Sequence, residues 1–443
     1  MDTFFIETYG CQMNIAESTS LSEIMKSNGF KIATSSLKAD IIILNTCSVR
    51  KTAENRIWGR IGYYKGLKAK KDIILLVMGC MAERVGEEFL KKTPTIDIVI
   101  GTFHKYKIPS ILKSYTKGEK ILFIGKNHVV FNNSFPDEKN RKKAYVNISH
   151  GCNNFCNYCI VPYLRGSEIS RDSNEIISDI NNLVNNGVLS VTLLGQNVNS
   201  YGNDTKDINF VELLKKIENE TDIKWIKYLS SHPKDFNDDL IEYISNSKKV
   251  STWLHLALQS GSNKILSRMN RKYTREEYLS KINKFKSCLH IYNITTDIMV
   301  GFCGESDEDF SDTLDLVKEI RFNDAYMYRY NERENTFATN NLVDDVDEEI
   351  KLSRLSTLID IQRKISCEKK RELIGKKLEI LPERDNKKGK GEILGVSKED
   401  FIVVYNNDVL DNNILDKSIF DNNIINVKIK DINGNTLIGE KIL

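Results

Sequence analysis

Three cysteines lie within eight positions in the stretch GCNNFCNYC, residues 151–159. They are Cys152, Cys156 and Cys159, spaced CxxxCxxC, and are called the loop triad below. A closed zinc site or a fully ligated iron–sulfur cluster takes four protein ligands, so three predict a metal centre with one open corner. Zinc, with His150 as a fourth ligand, is the alternative, but structural zinc usually pairs two short Cys/His hairpins and no second pair is nearby.

Thiolate geometry around an iron–sulfur cube fits this spacing better than zinc does. Three irons take the three cysteines and the fourth iron is left open. An open iron can chelate the amino and carboxylate groups of S-adenosylmethionine (SAM), and a low-potential cluster can pass one electron to the sulfonium. Cleavage of the C5′–S bond then yields a 5′-deoxyadenosyl radical, which takes hydrogen from unactivated C–H bonds.

A second set of cysteines is spread along the first eighty residues. Cys11, Cys47 and Cys80, in YGCQMN, NTCSVR and MGCMAE, each follow a short apolar run and are called the sheet triad below. Ligands bind beyond the carboxyl ends of parallel strands, so cysteines more than thirty residues apart can converge at one edge of a sheet. We interpret the set as a shared metal site; three separately buried thiols are the alternative.

The elements that must position both triads follow from the hydrophobic pattern. Residues 1–117 alternate apolar runs with amphipathic stretches, which predicts an open, mostly parallel βαβ sheet. Residues 118–143 read as a polar, basic linker, and residues 144–370 hold six further βα units, which predict a partial (β/α)6 barrel. Residues 371–443 alternate with period two and predict a small barrel of about five strands, with the asparagine-rich tract 406–423 as a loop or part of the strands. The predicted fold class is α/β and multidomain.

Length and composition limit the number of domains and the class of protein. A chain of 443 residues with 40% apolar and 28% charged residues predicts a soluble protein of two to four domains. A net charge of +3 excludes a uniformly basic coat for nucleic acid and leaves residues 139–143 and 369–377 as local basic patches. No run of eighteen apolar residues and no signal-peptide pattern occur, so we expect a cytoplasmic protein whose nine cysteines form no structural disulfides.

Several motifs resemble a known family. CxxxCxxC on the first loop of a βα barrel, with an aromatic residue, Tyr158, before the last cysteine, resembles the radical SAM superfamily. The segment with the sheet triad is similar to the N-terminal domain of the methylthiotransferases, and the tail is similar to a TRAM domain, a small RNA-associated β-barrel. Within that family the chain resembles the tRNA-2-methylthio-N6-dimethylallyladenosine synthases, most clearly at QNVN (196–199) and MNR (269–271).

The resemblance implies two [4Fe-4S] clusters and a reaction. The cluster of the loop triad would bind SAM, and that of the sheet triad would carry the sulfur to be inserted. The implied reaction is methylthiolation at C2 of N6-dimethylallyladenosine at position 37 of tRNA, next to the anticodon. Two SAM molecules are consumed, one as methyl donor and one as source of the 5′-deoxyadenosyl radical.

Three further residues are candidates for SAM binding. Tyr158 is predicted to stack near the adenine of SAM or to plug the barrel, and Gln196 and Asn197 to bind SAM or to cap the loop after the second barrel strand. Arg165 follows the loop triad, with the SAM carboxylate, RNA or solvent as its predicted contact. No metal role is predicted for the remaining thiols, Cys288, Cys303 and Cys367.

The implied partners are a tRNA substrate, a one-electron reductant such as flavodoxin or ferredoxin, and machinery that supplies sulfur and clusters. A monomer without membrane contact is expected. Two alternatives stay open: a methylthiotransferase acting on threonylcarbamoyladenosine of tRNA or on an aspartate of a ribosomal protein, and a non-catalytic RNA-binding module with a structural metal.

Overall fold

Short aliphatic runs form a parallel sheet at the start of the computed structural model, which describes residues 2–48, 51–137, 140–205, 207–386, 391–406 and 424–442. The strands, numbered in chain order, are β1 (Thr3–Thr8), β2 (Lys31–Ile32), β3 (Ile41–Thr46), β4 (Ile74–Gly79), β5 (Ile98–Ile100) and β6 (Ile121–Phe123). They pair in the order β2-β1-β3-β4-β5-β6, and every pairing is parallel. The helices of this region are α1 (Gln12–Ser27), α2 (Lys51–Lys68), α3 (Cys80–Val85), α4 (Glu87–Lys92) and α5 (Ile108–Ser114).

The central strands of this sheet are covered on both faces. Every residue of β3 and β4 is buried, as their unbroken aliphatic runs predict for a parallel sheet between two helical layers. One face packs against α1 and α5, and the other packs against α2, α3 and α4. The strand β6 lies inside the segment predicted as a linker and extends the sheet at its β5 edge.

The chain divides into two units, Met1–Asn209 with Arg333–Thr336, and Phe210–Glu332 with Phe337–Leu443. Besides the N-terminal sheet, the first unit holds β7 (Lys143–Asn147), β8 (Ser149–His150), β9 (Ile169–Ser170) and β10 (Ser190–Leu194), with helices α6 (Val161–Arg165) and α7 (Ser173–Asn185). β10 pairs with β7 in parallel, whereas β8 and β9 form a short antiparallel pair. Both cysteine triads lie in this unit, and α1 packs against β7.

The second unit continues the alternation of strands and helices. Its strands are β11 (Trp225–Tyr228), β12 (Trp253–His255), β13 (Asn293–Val300) and β14 (Asp324–Arg329). Its helices are α8 (Phe210–Glu220), α9 (Asp238–Asn246), α10 (Asn263–Arg268), α11 (Arg275–Ser287), α12 (Asp307–Ile320), α13 (Phe337–Asn341) and α14 (Glu348–Arg371). β12, β13 and β14 pair in parallel, and capping boxes start α11 at Thr274 and α12 at Ser306. Cys288, Cys303 and Cys367 lie in this unit.

The described residues also include four single turns of 3-10 helix. They are Ser36–Lys38, Lys105–Lys107, Val198–Ser200 and Pro233–Asp235.

The tail forms a closed barrel of five strands. They are β15 (Lys377–Asp385), β16 (Glu392–Ser397), β17 (Ile402–Asn406), β18 (Ile425–Asn433) and β19 (Thr436–Lys441), in the order β15-β16-β17-β19-β18. Alternate side chains, among them Leu378, Ile380, Val403 and Val427, fill its core. The asparagine-rich tract lies outside the described residues from residue 407 to residue 423.

The predicted fold class is confirmed by an N-terminal parallel sheet, a central α/β region and a C-terminal five-stranded barrel. The predicted basic patch at residues 369–377 has one exposed charge fewer than expected. Lys370 is buried and donates a hydrogen bond to Asn435 Oδ1 at 2.9 Å. Lys370 therefore does not present its charge to a nucleic acid. Within the described residues, no helix combines the length and the apolar character needed to cross a membrane.

The barrel core offers a paired test of this packing. Ile380 is fully buried in the barrel, whereas Ile402 on β17 is 45% exposed. Ile380→Ala should cost about 2–5 kcal/mol of barrel stability, because it removes buried methyl groups and leaves a cavity. Ile402→Ala should change stability by no more than about 0.5 kcal/mol. Hydrogen exchange of the β15 and β16 amides measures the difference, and equal protection in the two variants would contradict the packing.

Candidate active site

The sheet triad lies at one edge of the N-terminal sheet. Cys47 and Cys80 come directly after the last residues of β3 and β4, and Cys11, three residues beyond β1, caps the start of α1. Because β1, β3 and β4 are adjacent and parallel, their carboxyl ends bring the three thiols to the same place. Cys47 and Cys80 are buried and Cys11 is exposed.

Two buried asparagines fix the loops that carry Cys11 and Cys47. Asn14 Nδ2 donates to Asn45 Oδ1 at 2.9 Å and to the carbonyl oxygen of Thr46 at 3.1 Å. Asn45 Nδ2 returns a hydrogen bond to the carbonyl oxygen of Asn14 at 2.9 Å, and the Cys11 thiol donates to Asn14 Oδ1 at 3.3 Å. The network joins the start of α1 to the end of β3, so neither cysteine can move independently of the other.

The thiols of the sheet triad differ in acidity. A hydrogen bond with Cys47 lowers the pKa of Cys11 to about 6, and the charge of Arg165 acts in the same direction. Burial raises the pKa of Cys80, although the Arg165 guanidinium opposes the rise. Because the thiolate is the metal ligand, Cys11 is prepared for ligation, whereas Cys80 depends on a neighbouring positive charge.

The loop triad lies on a loop that is closed by backbone hydrogen bonds. The amide of Cys152 donates to the carbonyl oxygen of Gly166 at 3.1 Å, and the amide of Cys159 donates to that of Cys156 at 2.9 Å. Gly151 has a φ of +83°, and a Cβ there would lie 2.0 Å from the carbonyl oxygen of Ser167, so only glycine fits. Cys152 and Cys156 are buried and Cys159 is half-buried.

Single-ion geometry does not describe either triad. Among the residues that the structure describes, no three Cys, His, Asp or Glu side chains converge as the ligands of one metal ion would. The cysteines of an iron–sulfur cube each bind a different iron, so they surround a volume and do not converge on a point. The three cysteines of the sheet triad and the three of the loop triad are chemically suitable ligands for such clusters, and a positively charged side chain lies beside the sheet triad.

A buried cluster of charges lies between the two triads. Arg165, at the end of α6, donates from Nε to Cys80 Sγ at 3.4 Å and from Nη1 to Glu17 Oε1 at 3.1 Å. Lys105 also pairs with Glu17. Burial alone would raise the pKa of Glu17, but the charges of Arg165 and Lys105 lower it to about 2, so the carboxylate stays ionised. Ile160 and Leu164, on the chain leading to Arg165, pack against Cys80.

A cavity of about 60 Å³ with a mixed polar and apolar lining adjoins this cluster, and Glu17, Lys105, Ser149 and His150 lie in its wall. Three buried atoms there, Glu17 Oε2, Ser149 Oγ and His150 Nε2, have no hydrogen-bond partner in the described part of the chain. Burial lowers the pKa of His150 well below its usual value, and the charges of Arg165 and Lys105 add to this, so the ring is neutral. The volume holds about four waters, which can satisfy these atoms.

The three SAM candidates lie at or near the loop. Gln196 Oε1 accepts a hydrogen bond from the amide of Gly151 at 2.6 Å, so this side chain holds the start of the loop triad. Asn197 is buried and starts a 3-10 turn, and Tyr158 is half-buried. Both amide atoms of Asn199 are buried without a hydrogen-bond partner within the described residues, as for a side chain that awaits a ligand or water. Contact of these residues with SAM stays a prediction.

Sequence reasoning missed the charge cluster. Arg165 was expected at the SAM carboxylate, RNA or solvent, but its side chain is 3% exposed and reaches the sheet triad. Glu17 lies six residues after Cys11 on α1, a separation that puts two residues on different faces of a helix, so helical spacing from Cys11 does not find it. Nothing in the sequence distinguishes Lys105 from other surface lysines.

Two family models match the chain. Residues 3–101 match the uncharacterized protein family UPF0004, and residues 146–317 match the radical SAM superfamily. The first range contains the sheet triad and the second contains the loop triad. The chain is also similar in fold to the radical S-adenosylmethionine methyltransferase TsrM of Kitasatospora setae, with a TM-score of 0.54 and 9% identity over 74% of this chain and 73% of that one.

Curated relatives match over nearly the whole chain. A protein of Treponema denticola is 44% identical over 90% of this chain and 92% of its own, and one of Clostridium novyi is 40% identical over 99% and 96%. A third, of Thermoanaerobacter pseudethanolicus, is 42% identical over 99% and 92%. All three are named tRNA-2-methylthio-N(6)-dimethylallyladenosine synthase. The chain belongs to this family of radical SAM methylthiotransferases, whose cofactors are SAM and [4Fe-4S] clusters.

Proposed function

We propose that this protein places a methylthio group on C2 of N6-dimethylallyladenosine at position 37 of tRNA. The observation that carries the proposal is that Arg165, six residues beyond the last cysteine of the loop triad, contacts Cys80 of the sheet triad. A reaction that needs a radical source and a sulfur source at one carbon requires two sites next to each other. The names of the relatives, at 40–44% identity, support the tRNA nucleoside over the threonylcarbamoyl and ribosomal alternatives.

The proposal assigns a cofactor to each triad. The sheet triad, within residues 1–117, would hold the auxiliary [4Fe-4S] cluster, and the loop triad, within residues 144–370, would hold the one that binds SAM. When bound, the two clusters supply an electron for SAM cleavage and the sulfur for insertion. Residues 118–143 would link the first two domains. The five-stranded barrel, within residues 371–443, would contribute to tRNA binding as a TRAM-like domain.

The chain's own residues position the reactants. The Asn14–Asn45 pair orders two of the sheet thiols, and Gln196 orders the start of the loop triad. The adenine must leave its stack to reach both sites, which is easiest in a single-stranded loop such as that of the anticodon. Tyr158, Gln196 and Asn197 are proposed to contact SAM.

The remaining partners follow from this chemistry. Each turnover consumes an electron and a sulfur atom, so a reductant such as flavodoxin or ferredoxin and a sulfur and cluster supply are required. We place the protein in the cytoplasm, where tRNA is modified, and propose that it acts as a monomer.

Metal content tests the cofactor assignment. Anaerobically reconstituted protein should hold about eight irons and eight sulfides per chain, as two [4Fe-4S] clusters do. Replacing either triad with alanine should leave about four of each, because each triad would hold one cluster. Iron and sulfide assays measure both numbers, and stoichiometric zinc with little iron in anaerobically isolated protein would contradict the assignment.

The geometry at Gly10 gives a sharper test of the sheet triad. Its φ is +147°, and a Cβ there would lie 2.6 Å from Cys47 Cβ and 2.5 Å from Asn14 Oδ1. Gly10→Ala should therefore displace the sheet triad and lower iron content from about eight toward about four per chain. Gly59→Ala, in the middle of α2 with no atom within 4 Å of the new Cβ, should keep full loading. Full loading of both variants would show that the Gly10 contact does not shape the site.

Nucleoside mass spectrometry tests the substrate. Cells lacking the protein should lose the methylthio mark on the dimethylallyl nucleoside, and the intact protein or Cys288→Ala should restore it. Cys11→Ala should not restore it, because sulfur insertion needs the sheet triad. If the methylthio mark is lost from threonylcarbamoyladenosine instead, the protein is the methylthiotransferase that acts on that nucleoside.

A SAM cleavage assay separates the enzyme from an RNA-binding module. Dithionite and SAM should give 5′-deoxyadenosine with the cluster-loaded protein and none with the alanine variant of the loop triad. Absence of 5′-deoxyadenosine from the loaded protein would favour the binding module.

A further inference from the structure

Arg165 is a buried cation without an assigned role in the proposed chemistry. Its side chain is 3% exposed, and it donates hydrogen bonds to Cys80 and to Glu17. A buried arginine is costly unless it is paired and hydrogen-bonded, so its position requires an explanation. Its place in the chain adds to the question, since α6 directly continues the loop of the loop triad.

The charges around Arg165 favour negative charge on the sheet triad. Arg165 and Lys105 carry two positive charges and share the single carboxylate of Glu17, so the group attracts further negative charge. Metal binding deprotonates a coordinating thiol outright. The thiolate of a metal-bound Cys80 supplies negative charge directly beside the guanidinium, so the buried cation fits a Cys80 that acts as a ligand.

Hydrogen bonds also fix the orientation of the Arg165 guanidinium. Its Nε faces Cys80 Sγ at 3.4 Å while Nη1 is held by Glu17 Oε1 at 3.1 Å. Lys105 pairs with the same carboxylate, and Thr102 Oγ1 donates to the carbonyl oxygen of Leu164 at 2.9 Å. Both flanking contacts come from the 102–105 segment after β5, so the N-terminal domain itself aims Arg165 at the sulfur.

Resting on the proposed function, we propose that Arg165 is a positioning residue for the auxiliary cluster: its N–H···S hydrogen bond to Cys80 raises the reduction potential of that cluster and fixes it beside the loop triad. Hydrogen bonds to the ligand sulfurs and the net local charge set the potentials of iron–sulfur clusters. A cation that donates to a ligand sulfur favours the more negative, reduced form. Glu17 and Lys105 orient Arg165 and do not touch the cluster.

The decisive measurement is the reduction potential of the auxiliary cluster. It is made on full-length protein whose loop triad is replaced by alanine, so that one cluster remains, by redox titration followed by EPR. Arg165→Gln should lower the potential so that the ratio of reduced to oxidised cluster at a fixed applied potential falls at least tenfold, which is about 59 mV for a one-electron couple. Arg165→Lys keeps the charge without the fixed direction of the guanidinium and should shift it less.

Arg171→Gln is the matched control. Arg171 is equally buried and pairs with Asp179 at 2.7 Å, on the chain that runs into α7. Its loss removes a buried ion pair without touching Cys80, so the potential should not change. An unchanged potential in Arg165→Gln with full iron content, or an equal shift in Arg171→Gln, would overturn the proposal.

Loss of Arg165 alone leaves the Glu17 carboxylate with one cation fewer, which can prevent folding. Glu17→Gln/Arg165→Gln removes both buried charges and is measured in that case, with the same expected fall in potential. If the background protein itself binds no cluster, the cofactor assignment of the sheet triad fails and the role of Arg165 fails with it, whereas a bound cluster with an unchanged potential in Arg165→Gln overturns the role of Arg165 alone.

Discussion

The parallel pairing of β1, β3 and β4 is the constraint on which the candidate site depends. Thiols that are more than thirty residues apart in sequence become neighbours only because these strands lie side by side with the same direction. The sheet can hold that order because β3 and β4 are buried on both faces between helices. The aliphatic core of the N-terminal sheet therefore determines the geometry of the edge that carries the three cysteines.

A second dependence links this edge to the loop triad. The loop is closed onto the residues that follow it, through the amide of Cys152 and the carbonyl oxygen of Gly166. The intervening chain returns through Leu164 and Arg165 to the sheet triad, where it packs against Cys80. The segment from Leu164 to Gly166 thus contacts both triads, and a change in its conformation alters the surroundings of both.

The sequence allowed much of this arrangement to be predicted, and the reasons for the failures are physical. Cys11, Cys47 and Cys80 could be placed because each follows an apolar run, and the tail barrel because its strands alternate with period two. The strand β6 was not found since three residues carry too little pattern. The partnership of Glu17, Lys105 and Arg165 could not be found, because it joins residues up to 148 positions apart through side-chain contacts that leave no local periodicity.

The unequal exposure of the sheet triad governs access to it. Cys47 and Cys80 are buried, and Cys80 packs against Ile160 and Leu164, whereas Cys11 is the exposed residue of the three. Of the three cysteines, Cys11 is therefore the one that an iron source, a sulfide or an oxidant in solution reaches first. The supply of iron and sulfide to this site and its oxidation therefore both begin at Cys11. A surface that covers Cys11 slows the oxidation and the supply together.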